Sequence, residues 1–438
     1  MSKEQNVLIV GGGGREDALA WKLRQSPGVG NIWVAPGNGG TERFVDTHSL
    51  TLNPKNPVEV VQASKDVKAE LVVIGPEDPL ILGVADYLRT ENIPVFGPGA
   101  VGAKLEGSKA EAVLFMEKND IPHPQSVIFD SYLAARDFLK QPFWTTESSG
   151  WVVKADGPAG GKGVFVCQTG EEAEEALERI MLKEEFGQSG KRVVIQEKLQ
   201  GFELSAMVLV SGGKYVILPY SEDHKQVYDG DKGPNTGGMG VAAPHPLVTL
   251  QLAQEIEETI IKRTILGLKR EGIDFRGVLY PGVMVTSSGP KVLEYNIRFG
   301  DPETEATLPI MAGDLFLSLK DTATGTLNPA TSYYPVKDYF AVAVTLAAHG
   351  YPLSYQKGTE IFGLASPTNE TEVVVYHAGT GLDKDGRYHT SGGRVLMLTG
   401  FGPTIEGARD RAYGVIGPGG IHFDGMQYRR DIGSRKRI

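Results

Sequence analysis

VLYPGVMVTSSGPKVLEYNIRFGDPE, the segment from Val278 to Glu303, sets the architecture expected of this 438-residue chain. It predicts two strands joined by a turn at 287–290, because apolar runs flank a break that contains glycine and proline. Side chains alternate between the two faces of a strand, so Leu293, Tyr295 and Ile297 are expected to enter a core. The opposite face of the second strand is polar and is available for chemistry.

Three side chains share that polar face: Glu294, Asn296 and Arg298. A carboxylate and an amide oxygen about 6 to 7 Å apart along a strand suit a magnesium ion that also holds phosphate. Arg298 adds a planar guanidinium that can clamp an anion. The alternative is an edge strand with a solvated polar face, which the triplet alone does not exclude.

The charge balance narrows the class of partner. The chain has 54 acidic and 44 basic residues and a net charge of −10, which argues against a general nucleic-acid-binding surface. No nucleic-acid partner is therefore expected. Five basic residues near the end of the chain are interpreted as a solvated terminus: Arg429, Arg430, Arg435, Lys436 and Arg437.

Cysteine content and hydropathy indicate the compartment. Cys167 is the sole cysteine, so no intrachain disulfide can form, and its apolar surroundings predict a buried, unreactive thiol. The N-terminus is unlike a signal peptide, and no segment approaches 18 apolar residues. We expect a cytoplasmic protein without a membrane partner.

The N-terminal residues predict a parallel βαβ domain. An apolar strand at 6–10 is followed by four glycines at 11–14 and a helix at 15–24. A dinucleotide fingerprint would need glycine where Glu16 or Asp17 stands, so a nicotinamide cofactor is not expected. The loop suits a smaller anion, with Arg15 and Glu16 at its mouth.

A further carboxylate, Glu77, follows the strand at 71–74. It should lie at the carboxyl edge of the sheet, where open α/β sheets bind ligands. Its role as a ligand and its role as a plain loop residue both remain open at this point. A helix is predicted at 104–119 beyond the domain boundary near residue 100.

The hairpin at 151–167 is the second informative stretch. Its tip, 157–163, contains four glycines and a lysine but is not a Walker A loop, because Asp156 and Gly163 stand where that motif needs glycine and Ser or Thr. Such a tip is suited to closing over a nucleotide triphosphate, although a flexible turn is the alternative. Lys154 should face an anion, since burying an unpaired ammonium is costly.

Later segments add candidate ligands. The strand at 193–199 can offer its backbone to an adenine edge, and the acid Glu203 suits ribose hydroxyls. A long glycine-rich loop at 233–240 is more often functional than idle. One helix is predicted at 308–319, and Arg394 is a candidate anion ligand at the start of a strand in the last part of the chain.

Together these stretches resemble the glycinamide ribonucleotide synthetases of purine biosynthesis, members of the ATP-grasp superfamily. The resemblance runs nearly end to end. Its most specific motifs are VGGGGRE at 10–16, LEGSKA at 105–110, KADGPAGGKGV at 154–164, GPNTGGMG at 233–240 and EYNIRFGDPET at 294–304.

The resemblance implies an α/β chain with an ATP-grasp fold. Residues 1–100 would form the N-terminal parallel βαβ domain of the preATP-grasp type. Residues 101–325 would form the ATP-grasp core, with a mobile lid subdomain at about 123–190. Residues 326–438 would form a small C-terminal α/β domain, and a monomer is expected.

The resemblance also implies the site residues, each matched to a family motif. The residues that would bind ATP are Lys109, Lys154, Gly160, Gly161, Lys162, Gly163, Glu197, Leu199 and Glu203. Glu294 and Asn296 would hold Mg²⁺ or Mn²⁺. Arg298 and Asp301 would face the reacting carboxylate and amine, with Asp223 and Lys225 near glycine. The residues that would hold the phosphoribosyl substrate are Arg15, Glu16, Glu77 and Arg394.

By the same resemblance, the reaction joins glycine to 5-phosphoribosylamine through glycyl phosphate, with cleavage of ATP. Another ATP-grasp carboxylate–amine ligase is the alternative, and a nucleotide-binding regulatory module without catalysis is a second one. The chain departs from the family at Asp17, which replaces a histidine, so any role of that imidazole is absent.

Overall fold

The computed structural model describes residues 4–141, 150–160, 162–330, 338–364 and 371–434. Within these ranges, each helix is too short or too polar to cross a membrane. The predicted site residue Gly161 lies outside the described residues, as do Arg435, Lys436 and Arg437 of the basic tail.

The N-terminal part alternates strands and helices. Its elements are β1 (Gln5–Gly11), α1 (Gly14–Leu23), β2 (Val29–Pro36), β3 (Thr47–Ser49), α2 (Pro57–Asp66), β4 (Ala69–Ile74), α3 (Glu77–Ile81), α4 (Val84–Thr90) and β5 (Val95–Phe96). The strands form a parallel sheet in the order β3-β2-β1-β4-β5. The predicted parallel βαβ domain is therefore confirmed.

Strand β1 is apolar on both faces because both faces are covered. Val7 and Ile9 pack into one hydrophobic cluster, and Leu8 and Val10 into another. Parallel sheets with two covered faces have such continuous apolar strands. Because both faces of the sheet are covered, ligands are expected to bind at the loops that follow the carboxyl ends of its strands.

The predicted helix at 104–119 is two helices, α5 (Ala100–Gly107) and α6 (Lys109–Lys118). Ser108 separates them in an extended conformation, with φ −143° and ψ 118°, and its hydroxyl accepts a hydrogen bond from Glu111 N at 3.1 Å. This is an N-cap interaction. The break places Lys109 in the first turn of a new helix.

The elements of the next part are β6 (Ser126–Phe129), α7 (Tyr132–Leu139), β7 (Trp151–Ala155), β8 (Val164–Cys167), α8 (Gly170–Leu177) and β9 (Val193–Glu197), with a π-helical turn at Glu178–Leu182. The strands form a four-stranded sheet in the order β6-β9-β7-β8. Cys167 is buried, and burial raises the pKa of its thiol to about 11.

Residues 202–296 contain the strands of the central sheet. The elements are β10 (Phe202–Ser205), β11 (Val208–Ser211), β12 (Lys214–Ile217), β13 (Glu222–Asp223), β14 (Gln226–Tyr228), β15 (Lys232–Asn235), β16 (Gly240–Ala243), α9 (Leu250–Ile256), a π-helical turn (Glu257–Ile261), α10 (Lys262–Arg270), β17 (Arg276–Thr286) and β18 (Gly289–Asn296). The sheet runs β10-β17-β11-β12, and β18 pairs antiparallel with β17. The hairpin predicted from the opening segment is therefore present.

The remaining elements follow residue 300. They are α11 (Glu303–Ile310), α12 (Leu315–Thr324), β19 (Phe340–Ala347), β20 (Ile361–Phe362), β21 (Val373–His377), β22 (Thr380–Leu382), β23 (Tyr388–Thr390), β24 (Arg394–Gly402), α13 (Ile405–Gly414) and β25 (His422–Phe423). The single helix predicted at 308–319 is wrong. The chain leaves the helical conformation after Ile310, and α12 begins anew with Asp314 as its N-cap.

One sheet crosses the sequence boundary near residue 325. Its strand order is β13-β16-β19-β24-β21, so β16, which follows the glycine-rich loop, pairs with β13 on one side and with the C-terminal strand β19 on the other. Val241 lies opposite Ala343, and Glu222 lies opposite Ala242. The C-terminal residues are thus part of the framework that fixes the loop.

Candidate active site

Three adjoining cavities lie where these parts meet. The main one has a volume of about 470 Å³, and the second, of about 430 Å³, shares Lys154, Lys225 and Glu294 with it. The third, of about 360 Å³, shares Asp301 and Arg394 with the main cavity. The predicted site residues come from four separate parts of the chain, and most of them line this one set of cavities.

The polar face of β18 lines the main cavity, as predicted. Glu294 and Asn296 both contribute to its wall. Asn296 Oδ1 accepts a hydrogen bond from Arg298 Nη2 at 3.1 Å, and Glu294 Oε1 is 4.0 Å from Lys225 Nζ. Burial acts to raise the pKa of Glu294, but the ammonium groups of Lys225 and Lys154 lower it overall.

Leu293 does not follow the predicted alternation. The register of β18 against β17 slips at this point, so that Gly282 faces Glu294 but Val283 faces Val292, which leaves Leu293 as an extra residue. This is a β-bulge. Leu293 lines the main cavity, and only Tyr295 and Ile297 of the predicted apolar face are buried.

Arg298 is held between two carboxylates. Its Nη2 is 2.9 Å from Glu106 Oε1, and its Nε is 3.3 Å from Glu77 Oε2. Glu106 also accepts a hydrogen bond from the backbone of Ile297 at 2.8 Å. Sequence reasoning missed Glu106, although it lies in the quoted motif LEGSKA, because its partner is about 190 residues away.

The two lysines predicted to hold phosphates, Lys109 and Lys154, both line the main cavity. Lys154 Nζ donates a hydrogen bond to the backbone oxygen of Leu293 at 3.0 Å. Burial lowers the pKa of Lys154 to about 8, against the attraction of Glu294. A lysine in this state gains strongly from an anionic ligand.

The loop predicted to lie near glycine brings Asp223 and Lys225 into the main cavity. Lys225 Nζ is 3.3 Å from Glu203 Oε2, and this carboxylate is the main cause of the raised pKa of Lys225. Within the described residues, Asp223 Oδ1 is buried and accepts no hydrogen bond. Burial, reinforced by the negative charge of Glu303, raises the pKa of Asp223.

Glycine is required at position 238 for this arrangement. Gly238 has φ +116°, and a Cβ there would lie 2.3 Å from Pro302 Cδ and 2.8 Å from Asp223 Oδ1. Its missing side chain therefore lets the loop approach both groups.

Glu303 is a second residue that sequence reasoning missed. It is 4% exposed, and its Oε1 accepts hydrogen bonds from the hydroxyls of Tyr280 and Ser205, the latter at 3.0 Å. Glu303 and Tyr280 line the main cavity. The carboxylate ends the opening segment, but it begins a helix, so strand alternation gives no signal for it.

The hairpin between β7 and β8 contributes its tip to the main cavity. Gly160 and Gly163 line the cavity, whereas Lys162 is exposed to solvent. The contact of Lys162 with the ATP phosphates therefore stays a prediction. The two glycines line the same cavity as Lys109, Lys154 and the polar face of β18.

The second cavity contains the residues predicted for the nucleoside. Glu197, Leu199 and Glu203 all line it. Glu197 is buried, and its Oε1 accepts hydrogen bonds from Gln125 N at 2.9 Å and Lys291 Nζ at 3.2 Å. Its carboxylate therefore supports the wall of the cavity.

Buried side chains of the first helix support the N-terminal glycine loop. Arg15 lines the main cavity and donates a hydrogen bond to Phe299 O at 3.0 Å. Glu16 is only 2% exposed and accepts hydrogen bonds from Gly13 N and Arg15 Nε, both at 2.6 Å. The prediction that Glu16 sits at the mouth is therefore wrong, because the carboxylate lies beneath the loop.

Arg394 joins the main and third cavities. Its Nη1 donates hydrogen bonds to Gly237 O at 2.6 Å and Asp301 O at 2.7 Å, and its Nη2 is 2.9 Å from Asp301 Oδ1. Polar and glycine residues from both ends of the chain line the third cavity. They include Gly12, Gly13, Gly14, Asn38, Thr380 and Ser391.

The donor set for a metal is limited to a few oxygens. Among the described residues, no group of three or more His, Cys, Asp or Glu side chains could hold a metal ion by itself. Glu294 and Asn296 supply two hard oxygen donors beside the lysines. Magnesium commonly takes one or two protein oxygens and completes its shell with phosphate and water, so these residues fit such an ion.

The chain is similar to known proteins along most of its length. Family models for the N, ATP-grasp (A) and C domains of phosphoribosylglycinamide synthetase match residues 5–106, 107–304 and 341–435. A phosphoribosylamine–glycine ligase of Rhodopirellula baltica is 41% identical over 439 residues, which cover 100% of this chain and 99% of that protein.

A bifunctional purine biosynthetic protein of Schizosaccharomyces pombe is 43% identical over 429 residues, which are 97% of this chain and 53% of that protein. The chain thus spans about half the length of that relative. The crystal structure of a phosphoribosylamine–glycine ligase from Thermotoga maritima superposes with a TM-score of 0.82 at 35% identity, covering 97% of this chain and 99% of that one. The chain therefore belongs to the phosphoribosylglycinamide synthetase family of ATP-grasp ligases.

Proposed function

We propose that the chain joins glycine to 5-phosphoribosylamine, with cleavage of ATP to ADP and phosphate, and so forms glycinamide ribonucleotide. The observation that carries this proposal is the meeting of three groups in one cavity: the polar face of β18, the lysines at 109 and 154, and the loop around Asp223. We retain the division into three domains near residues 100 and 325 as part of the proposal. The monomeric state and the cytoplasmic location expected from the sequence remain predictions.

ATP is proposed to bind across the main and second cavities. Leu199 and Glu203 would meet the nucleoside, and Lys109 and Lys154 would meet the phosphates at the shared wall. Glu294 and Asn296 would hold Mg²⁺ or Mn²⁺, which, when bound, neutralises phosphate charge and orients the chain of phosphates.

In the first step, a carboxylate oxygen of glycine forms a bond to the γ-phosphorus while the bond from that phosphorus to the bridging oxygen of ADP breaks. Phosphoryl transfer asks a protein mainly for positioning and charge stabilisation. Arg298, fixed by Glu77 and Glu106, is preorganised to face the reacting carboxylate. Lys225 and Asp223 are proposed to hold the amino acid.

In the second step, the amine of phosphoribosylamine attacks the acyl carbon of glycyl phosphate. The C–N bond forms, the C–O bond to phosphate breaks, and the amine nitrogen gives up a proton that the departing phosphate takes up, so that it leaves as hydrogen phosphate. Asp301 is proposed to face this amine from the junction of the main and third cavities. Arg394 and the loop Gly12–Gly14 would hold the phosphoribosyl group there.

The glycyl phosphate must be kept from water. Gly160 and Gly163 of the hairpin tip line the main cavity, and closing an active site excludes water from a reactive intermediate. The hairpin tip therefore has a defined task in the proposed reaction.

The test is ADP release in the presence of ATP and Mg²⁺, with glycine or another amino acid, and with or without phosphoribosylamine. We expect release that requires glycine and phosphoribosylamine together. Equal release with another amino acid would assign a different carboxylate–amine ligase. Binding of ATP without any amino-acid-dependent release would indicate a module without catalysis.

A further inference from the structure

Arg429 is buried at the end of the chain. Its side chain is 1% exposed, whereas the neighbouring Arg430 is exposed. The interpretation of this region as a solvated basic terminus is therefore wrong for Arg429. A guanidinium is retained in such a place only when carboxylates and carbonyls replace its water.

The partners of Arg429 belong to two separate parts of the chain. Its Nε and Nη2 bind the carboxylate of Asp431 at 2.7 and 2.6 Å, and its Nη1 binds Asp231 Oδ1 at 2.8 Å and Gln226 O at 3.1 Å. Asp431 is in its own segment, but Asp231 and Gln226 are in the hairpin of β14 and β15. Arg429 thus ties the C-terminal segment to that hairpin.

Backbone groups strengthen the same connection. Gly230 N donates a hydrogen bond to Asp431 Oδ2 at 2.9 Å, and Arg430 N donates one to Asp229 Oδ1 at 2.7 Å. Beyond the hairpin, Gly237 N donates a hydrogen bond to the Tyr351 hydroxyl at 2.9 Å. C-terminal residues therefore hold the hairpin at its tip and just beyond its end.

Within the part of the chain that the structure describes, this hairpin buries little of its own surface. Val227 is buried, at 4% exposure, but the other residues of 226–235 are half-buried or exposed. Short two-stranded hairpins are marginally stable by themselves. The hydrogen bonds to Arg429 and its segment, together with the packing of Val227 against Met239 and Ala347, therefore fix where the hairpin lies.

The hairpin begins and ends at the active site. Lys225 precedes it directly, and Thr236 follows it, and both line the main cavity. Within the hairpin, Gln226, Asp231 and Asn235 line the second cavity. A shift of the hairpin would consequently move Lys225 relative to Glu203 and Glu294.

We propose that Arg429 is a positioning residue for the ligation, which acts through the hairpin 226–235 to hold Lys225 at the glycine end of the cavity. Arg429 itself touches no reacting group. The inference rests on the proposed function, because it takes the amino acid beside Lys225 to be the substrate. It makes the segment around Arg429 and Asp431 part of the framework of the active site.

The test compares Arg429→Gln with Arg430→Gln in the full chain. Arg430 is a matched control, because within the described residues its hydrogen bonds are made by its backbone. We expect Arg429→Gln to raise the KM for glycine about tenfold, with a smaller change in kcat, since a shift of about 1 Å can cost up to 100-fold. Arg430→Gln should behave like the wild type.

Two further variants separate positioning from a loss of folding. Asp231→Asn removes one charge at a partly exposed position of the hairpin, and it should raise the KM for glycine without lowering the unfolding temperature appreciably. Arg429→Lys keeps the charge but loses the forked donor geometry, so it should restore part of the loss.

Hydrogen exchange gives a readout that does not depend on turnover. Amides of 225–237 should exchange faster in Arg429→Gln than in Arg430→Gln. Unchanged exchange there, or an unchanged KM in a variant whose unfolding temperature falls, would overturn the proposal. If the wild type forms no ADP with glycine, the proposed function fails, and the exchange experiment still decides whether Arg429 holds the hairpin.

Discussion

Glu294 shows how the surroundings of one carboxyl determine its chemistry. Burial acts to raise its pKa, yet the lysines around it keep the pKa low, so the group is an anion at neutral pH and is suited to a cation. We expect Glu294→Gln to lower kcat by at least about 100-fold, because an amide is a weaker ligand for a hard cation. Steady-state ADP release at increasing Mg²⁺ concentration measures this.

An amide in place of the carboxylate should also raise the Mg²⁺ concentration that gives half-maximal rate. Wild-type kcat with an unchanged Mg²⁺ dependence would remove Glu294 from the metal site. The unfolding temperature of the variant should stay close to that of the wild type, which separates a lost ligand from a lost fold.

Lys154 gives a prediction for pH. Burial lowers its pKa to about 8 in the free protein, so the ammonium that would meet the ATP phosphates loses its proton as the pH rises through that value. We therefore expect kcat/KM for ATP, which reports the free enzyme, to fall as the pH rises from 7 to 9. Lys154→Arg keeps its charge over this range, so its profile should be flatter, and parallel profiles would exclude Lys154 as the titrating group.

At the scale of single elements, the strand β18 could be predicted closely from its sequence, but the bulge at Leu293 could not. The bulge arises from the way β18 pairs with β17, and the alternation of side chains within β18 does not reveal how the two strands pair. The break at Ser108 has a local cause, the capping hydroxyl, which a continuous helical pattern concealed. Glu106 was missed because its partner Arg298 is distant in sequence, and Glu303 was missed because it begins a helix, where strand alternation gives no signal.

The loop between β15 and β16 yields a prediction with a matched control. Gly238 and Gly213 both have positive φ, +116° and +84°, but only at Gly238 would a Cβ clash with neighbouring atoms. Gly238→Ala should lower activity strongly, because Pro302 or Asp223 must move, while Gly213→Ala should cost only about 1 kcal/mol of stability. Thermal unfolding of both variants measures the backbone strain, and ADP release measures the effect of displacing Pro302 or Asp223. Equal ADP release by the two variants would refute the role of Gly238.

At the scale of the whole molecule, contacts between distant parts of the chain hold the site together. Asp17 binds Arg43 Nη1 at 2.5 Å and accepts a hydrogen bond from His377 N at 2.9 Å. The first helix is thereby joined to strand β21 near the C-terminus. Each motif could be recognised from its own stretch of sequence. The distances between motifs depend on contacts between distant parts of the chain, which no single stretch predicts.

Two buried histidines, His224 and His377, predict how the stability of the folded protein depends on pH. Burial lowers the pKa of His224 and of His377 to about 4, from about 6.5 in the unfolded chain. Because the unfolded chain takes up these protons more readily than the folded one, each histidine costs the fold up to about 3 kcal/mol of stability as the pH falls from 6.5 towards 4. The unfolding temperature should decline steeply over that window.

His377→Asn tests this directly, because asparagine cannot take up the proton but retains a polar group near Thr380, which lies 3.0 Å from His377 Nδ1. Its unfolding temperature should fall less between pH 7.5 and 5 than that of the wild type, whereas His349→Asn, at an exposed position, should follow the wild type. Identical slopes in all three proteins would show that the acid sensitivity lies elsewhere. A smaller slope in His377→Asn alone would place the acid-sensitive contact where the two ends of the chain meet around the glycine loop.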